Sequence, residues 1–134
     1  MTPPRLPLSA ADALRQRCRR IFNDQRRKAR LAGVELSYGV EDLVELARTV
    51  RLCVYCRMPV GFDFQFDHKR PVARGGAHAL GNLVVACSRC NALKGKLTED
   101  EFAELLALLA RLHPAARQDV ERRLIAGGVR YARR

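Results

Sequence analysis

Two cysteine pairs constrain this chain more than any other feature. Cys53-x-x-Cys56 and Cys87-x-x-Cys90 are separated by the 30 residues from Arg57 to Ala86. Two such knuckles let four thiolates meet around one tetrahedral cation, zinc above all. A shell of four thiolates is closed to water and substrate, so the expected metal is structural. The spacer exceeds the ~15–20 residues of the simplest zinc ribbon, so the segment between the knuckles must be a structured insert. Disulfides and unligated core cysteines are the alternatives. In a reducing compartment, closely paired cysteines more often bind metal. The fifth cysteine, Cys18, falls on the apolar face of a helical segment and reads as a core residue, where a free thiol behaves as a small hydrophobe.

The charge points to the partner. The chain has 134 residues, enough for one domain with a modest core, and a formal net charge of +11. Residues 15–30 hold eight Lys/Arg against one acid, Asp24, and residues 51–96 hold eight against Asp63 and Asp67. Residues 31–50 and 97–126 are net acidic, and Arg130, Arg133 and Arg134 close the chain. Such an excess suits neither an acidic buffer protein nor a typical small-molecule enzyme; it favours nucleic acid or an anionic membrane surface. No apolar run approaches the ~20 residues of a spanning helix. Met1–Pro7 carries three prolines and no apolar signal region. A soluble, cytoplasmic protein is therefore expected. A peripheral membrane protein fits poorly, because no helix pairs a large aromatic-rich apolar face with a basic one.

The pattern predicts an α+β chain. Residues 1–8 read as a flexible tail, 9–51 as a basic helical region, 52–98 as the cysteine-framed core, and 99–134 as helices with a basic tail. Ser9 with Asp12 starts a helix near Ala10 that Gly33 ends. A second helix from about Val40 places Val40, Leu43, Val44, Ala47 and Val50 on one face. Phe62, Phe64 and Phe66 alternate at strand period, and Leu83–Ala86 supplies a second strand. Pro71, Gly75, Gly76 and Gly81 mark the loop between them. Ser88–Lys96 reads as a short helix or turn ending at Gly95. Thr98 with Glu101 caps a helix through about Leu112, which Pro114 breaks, and a last helix runs from about Ala115 to Ala126. His78 reads as a loop residue and His113 as a helix end.

The insert carries Asp67-His68, Asn82 and, just past the last cysteine, Asn91. Singly, each has a plain reading: surface decoration, a turn residue or a helix cap. Together they supply what phosphodiester hydrolysis needs. A divalent ion neutralises charge on the scissile phosphate and the leaving oxygen. Hard cations take oxygen ligands, which the Asp67 carboxylate and Asn91 amide offer. A histidine titrating near neutrality, His68, takes a proton from attacking water. Neighbours in a strand point to opposite faces, so Asp67 and His68 serve one site only if the strand ends or twists there.

The strings CVYC, FDHKRPVARGG and NLVVACSRCNALKGKLT, covering residues 53–98, resemble the HNH endonuclease family. The resemblance implies a ββα-metal core with a two-knuckle, four-cysteine zinc site, flanked here by N- and C-terminal helices. It implies that His68 is the general base, that Asp67 and Asn91 hold a catalytic Mg²⁺ or Mn²⁺, that Asn82 pins the loop orienting His68, and that Cys53, Cys56, Cys87 and Cys90 hold structural Zn²⁺. Asn91 stands where the family's name has a second histidine, as in the nuclease domains of CRISPR effector proteins. An amide oxygen suits softer transition metals less than an imidazole does.

The implied activity is a metal-dependent DNA endonuclease leaving 5′-phosphate and 3′-hydroxyl ends; the alternative is a non-catalytic zinc module that binds DNA as a regulator or phage packaging accessory. Lys69, Arg70, Arg74, Arg89 and Lys94 near the site, and Arg26, Arg27 and Lys28 with Arg15, Arg19 and Arg30 on the first helix, are the expected DNA contacts. Without an aromatic stacking platform of the RNA-binding kind, duplex DNA is the expected partner, met by the ββα element at the minor groove. One such site cuts one strand at a time, so double-strand breaks require a homodimer or two visits. Small free-standing members resemble phage-encoded ones, which sets the expectation of a bacterial or phage setting.

Overall fold

Ser9 and Gly33 bracket the first helix, α1 (Ala10–Ala32). Ser9 Oγ accepts from the Asp12 amide at 3.1 Å, and Gly33 closes the helix in the left-handed region at φ 67°. The computed structural model describes residues 9–127; the expected tail over residues 1–8 and the basic residues Arg130, Arg133 and Arg134 lie outside them. α2 (Val40–Thr49) starts where Asp42 accepts from the Gly39 amide at 2.8 Å, and it buries Leu43 and Ala47. Cys18 is 0% exposed and joins the core where the two helices pack, as its position on the apolar face requires.

The first cysteine knuckle follows. Arg57 N–H donates to Cys53 O at 2.9 Å and Cys53 N–H to Met58 O at 2.8 Å, with Arg57 at φ 64°. Strands β1 (Gln65–His68) and β2 (Leu83–Ala86) pair antiparallel, Gln65 opposite Ala86 and His68 opposite Leu83. Val54 N–H donates to Val85 O at 3.0 Å and so stitches the knuckle to β2.

β1 starts at Gln65 rather than at Phe62. Gly61 O accepts from Phe64 N–H at 3.3 Å, which turns the chain and breaks the alternation. Phe62 is consequently 53% exposed while Phe64 is 1% exposed, and the Arg17 guanidinium covers both rings at 5.8 and 4.9 Å from their centroids.

The segment between the strands, expected as a loop, contains two short 3₁₀ turns, Val72–Arg74 and Leu80–Asn82. Two adjacent glycines are required here for different reasons. Gly75 sits at φ 88°, and a Cβ on Gly76 would fall 1.9 Å from the Arg70 carbonyl oxygen.

α3 (Ser88–Lys94) is capped by a metal-site cysteine, since Cys87 Sγ accepts from Cys90 N–H at 3.3 Å. α4 (Glu99–Ala110) opens with the reciprocal Thr98–Glu101 cap, 3.2 and 2.9 Å. It ends two residues before Leu112, which is 36% exposed, whereas Phe102 and Leu109 are buried. Pro114 breaks the chain and also begins α5 (Pro114–Gly127), the position where a missing N–H costs nothing. One core joins Cys18, Leu43, Phe64, Val85, Leu93 and Phe102, so the helices and the hairpin share one interior.

Gly76→Ala is expected to lower the melting temperature by at least ~5 °C, the effect of a 1–2 kcal/mol backbone clash in a chain this size. Gly81→Ala is the control, since a Cβ there meets nothing within 4 Å. Equal melting temperatures for the two variants would contradict the close approach at Gly76.

Candidate active site

The four cysteines converge. The Sγ atoms of Cys53, Cys56, Cys87 and Cys90 all lie within 4.8 Å of one another, and those of Cys56 and Cys87 are 3.9 Å apart. All four are free of disulfides. A tetrahedron of sulfurs at the ~2.3 Å Zn–S distance has edges of roughly 3.8 Å, so the cluster has the dimensions of a metal site such as zinc's. Cys53 and Cys90 are fully buried. Burial pushes the Cys87 and Cys90 thiols up from their ordinary value. A bound cation is what would offset the cost of holding these sulfurs as thiolates.

β1 ends at His68, the condition under which adjacent strand residues reach one site. Asp67 and His68 from β1 and Asn91 from α3 line one cavity of about 270 Å³, together with Phe66, Pro71 and Lys96. Asp67 is 7% exposed. Its Oδ2 accepts from the Tyr55 hydroxyl at 2.5 Å and pairs with Lys94 Nζ at 3.0 Å. Among the described residues no hydrogen bond falls on Asp67 Oδ1 or on the Asn91 side-chain amide. Tyr55, inside the first knuckle, has its phenol pushed up by burial and then by Asp67, and so stays a donor.

Lys94 corrects the sequence reading. It is 0% exposed, paired with Asp67, and its Nζ donates to the His68 carbonyl at 2.9 Å. A lysine so enclosed does not reach a DNA phosphate. Lys94 falls one turn after buried Cys90 and beside buried Leu93 on α3, and that i, i+3, i+4 spacing was the available signal for its burial. Lys96, two residues on, is exposed and lines the cavity; the sequence reading passed over it.

Asn82 ties the loop together. Its Oδ1 accepts from Arg70 N–H at 3.0 Å, and its Nδ2 donates to Arg70 O at 3.0 Å and to Ala77 O at 2.9 Å. Asn82 O also accepts from Lys69 N–H, at 2.9 Å, directly after His68. Burial, and next the neighbouring His78, push the His68 imidazole below its ordinary value, against the opposing pull of Asp67. His78, expected as a plain loop residue, is buried against that ring, and nothing in the sequence pattern signalled it.

The remaining basic residues divide. Arg74 pairs with Glu101, which it holds down at about 2, and Arg89 pairs with Glu121 at 2.7 Å. Arg27 and Lys28 share Asp24 at 2.7 and 3.1 Å, and Arg26 covers the Phe22 ring. Arg15 pairs with Glu41. Arg19, Arg26, Arg27 and Arg30 are exposed on α1, away from buried Cys18 and Ala29. Lys69 and Arg70 flank the cavity's loop, with the Arg70 Nε donating to Arg74 O at 2.9 Å.

The family model for HNH endonucleases matches residues 53–97. These residues are similar to an HNH endonuclease domain. The match spans both knuckles, the hairpin and α3, about a third of the chain, and leaves α1, α2, α4 and α5 outside it. No curated protein matches the chain. An HNH domain implies a nuclease that binds nucleic acid and uses a divalent metal. Among the described residues no helix is long and apolar enough to cross a membrane.

Chelation of the four-cysteine metal is expected to collapse the HNH segment, with loss of helical circular dichroism and of a cooperative melt, because binding energy at such a site is folding energy. An unchanged melt after verified metal removal would contradict this. Lys94→Met, which leaves Asp67 buried without its cation, is expected to cost about 3–5 kcal/mol in denaturant unfolding. A cost below ~1 kcal/mol would show that the Asp67–Lys94 pair carries little.

Proposed function

We propose that this chain is a metal-dependent endonuclease that hydrolyses DNA phosphodiester bonds, leaving 5′-phosphate and 3′-hydroxyl ends. The observation that carries the reading is the shared cavity of Asp67, His68 and Asn91 inside an HNH domain. The donor set fits a hard divalent cation: a carboxylate with one oxygen uncommitted and an amide oxygen, on facing elements. Asp67 and Asn91 hold Mg²⁺ or Mn²⁺ in this reading, and when bound the ion neutralises charge on the phosphate and the leaving oxygen.

The protein's own groups do the rest. His68, held below its ordinary value by burial, is a neutral base at neutral pH and takes the proton of the attacking water. Tyr55 and Lys94 fix Asp67 through Oδ2. Asn82 fixes the loop that starts after His68. The four cysteines hold structural Zn²⁺. Lys96, which lines the cavity, and Lys69 and Arg70, which follow His68 in the chain, are read here as phosphate contacts, and Arg19, Arg26, Arg27 and Arg30 on α1 as sequence-independent attraction to duplex DNA. Residues 52–98 act as the nuclease core, with the flanking helices as support and DNA grip. Single-strand cuts follow from one site, and double-strand cuts from a homodimer or repeated visits. A cytoplasmic role in a bacterium or its phage accords with this composition.

The test is nicking of supercoiled plasmid with Mg²⁺ or Mn²⁺. His68→Ala is expected to lower the rate by about 10²–10⁴-fold, the range for loss of a general base, while gel-shift affinity stays within about twofold. Lys96→Ala is expected to weaken binding of all DNA sequences alike and to lower the salt slope by about one. A wild-type chain that binds DNA but cuts nothing with any divalent metal would support a zinc-stabilised binding module instead.

A further inference from the structure

His78 lies in the loop that Asn82 and Gly76 hold, ten residues after His68. It is 6% exposed, and its ring packs edge-on against His68 with centroids 5.1 Å apart and planes at 88°. Two nitrogens of this pair, His68 Nε2 and His78 Nδ1, are buried with no hydrogen-bond partner among the described residues. A buried nitrogen left without a partner is costly. Two orphans on touching rings are each other's nearest remedy. No N–H···N bond joins the two rings as they stand, and centroids 5.1 Å apart leave one within reach of a small ring rotation.

Of the other groups near His68, one Asp67 oxygen, the Asn82 amide and Lys94 are held by other partners. Asp67 Oδ2 is taken by Tyr55 and Lys94, and the Asn82 amide is used on Arg70 and Ala77. Lys94 touches only the His68 backbone carbonyl. His78, by contrast, is firmly held from outside the HNH segment. Its carbonyl accepts from Ser37 N–H at 3.0 Å and Ser37 Oγ at 3.4 Å, and Leu36 bridges to it in parallel. The α1–α2 linker therefore places the ring.

We propose that His78 is a positioning residue for His68: after a small rotation of either ring its Nδ1 accepts the Nε2–H of His68 and holds His68 in the tautomer whose Nδ1 is unprotonated and available to the cavity. Which ring nitrogen carries the proton is set by the bond the other one makes. The catalytic consequence rests on His68 being the general base; the tautomer itself does not. The inference gives the α1–α2 hairpin a part in the site, as the support of the residue that orients the base.

The test uses the full, zinc-loaded chain labelled with ¹⁵N. Long-range ¹H–¹⁵N spectra of the imidazoles at pH 8 should show His68 protonated at Nε2 and His78 unprotonated at Nδ1. His78→Leu removes the acceptor and keeps apolar bulk; His68 should then become a mixture of tautomers. Nicking turnover should fall about 10–100-fold, the range for loss of an orienting partner, with KM and gel-shift affinity unchanged. His78→Asn returns an amide oxygen near the place of Nδ1 and should restore most of the turnover.

His68 protonated at Nδ1 in the wild type, or an unchanged His68 spectrum in His78→Leu, overturns the assignment. Should His78→Leu not fold, the wild-type spectrum and His78→Asn decide. A wild-type chain with the expected tautomers but no nicking would remove the nuclease reading and leave the His78 assignment standing.

Discussion

Four sulfur atoms within 4.8 Å of one another are the contact on which the rest of the unit depends. Two strands of four residues are too little to stand alone in water. Here β2 is tied to the cluster twice. Val54 joins the first knuckle to β2, and Cys87 ends β2 and caps α3 with its sulfur. A metal at the cluster would close the 30-residue insert and fix strand and helix at the same point. The cluster also reaches the cavity, because Tyr55 lies between Cys53 and Cys56 and donates to Asp67. Support for the fold and support for the carboxylate thus pass through the same four-residue turn.

Buried charge is the second organising constraint. Asp67 at 7% exposure is tolerated because Lys94, at 0%, and the Tyr55 hydroxyl both meet one of its oxygens. That arrangement consumes a lysine that the sequence offers to DNA and leaves the other carboxylate oxygen uncommitted. Much of the surface charge is committed in a similar way. Arg74, Arg89 and Arg15 are paired with acids on other elements, and Arg17 is laid over Phe62 and Phe64. Such pairs cancel within the net charge of +11, and exposed basic residues of α1 together with Lys96 carry part of the excess that a polyanion would meet.

The sequence made local structure plain wherever one residue type has one physical use. Ser9, Gly33, Thr98 and Glu101 mark helix ends by capping chemistry, and the C-x-x-C spacing marks the cluster. The Asp67–His68–Asn91 constellation was legible as a motif, and the cavity that joins them follows from β1 ending at His68. What the sequence hid depends on contacts across elements. Phe62 keeps strand period but leaves the strand, because a turn at Gly61 intervenes. Lys94 closes α3 and is enclosed, whereas Lys96, past the turn at Gly95, is open. His78 has no local signal at all, since its burial is set by Leu36 and Ser37, some forty residues earlier.

In the proposed reading, one frame of four sulfurs presents Asp67 and Asn91 as a second, oxygen-lined metal site. The direct measurement is anomalous scattering from crystals of the chain soaked in Mn²⁺, with data at both the zinc and manganese edges. The account predicts zinc among Cys53, Cys56, Cys87 and Cys90, and manganese in the His68 cavity at about 2.0–2.3 Å from a carboxylate oxygen of Asp67 and the amide oxygen of Asn91. Manganese absent from the cavity, or bound there without Asp67, would contradict it.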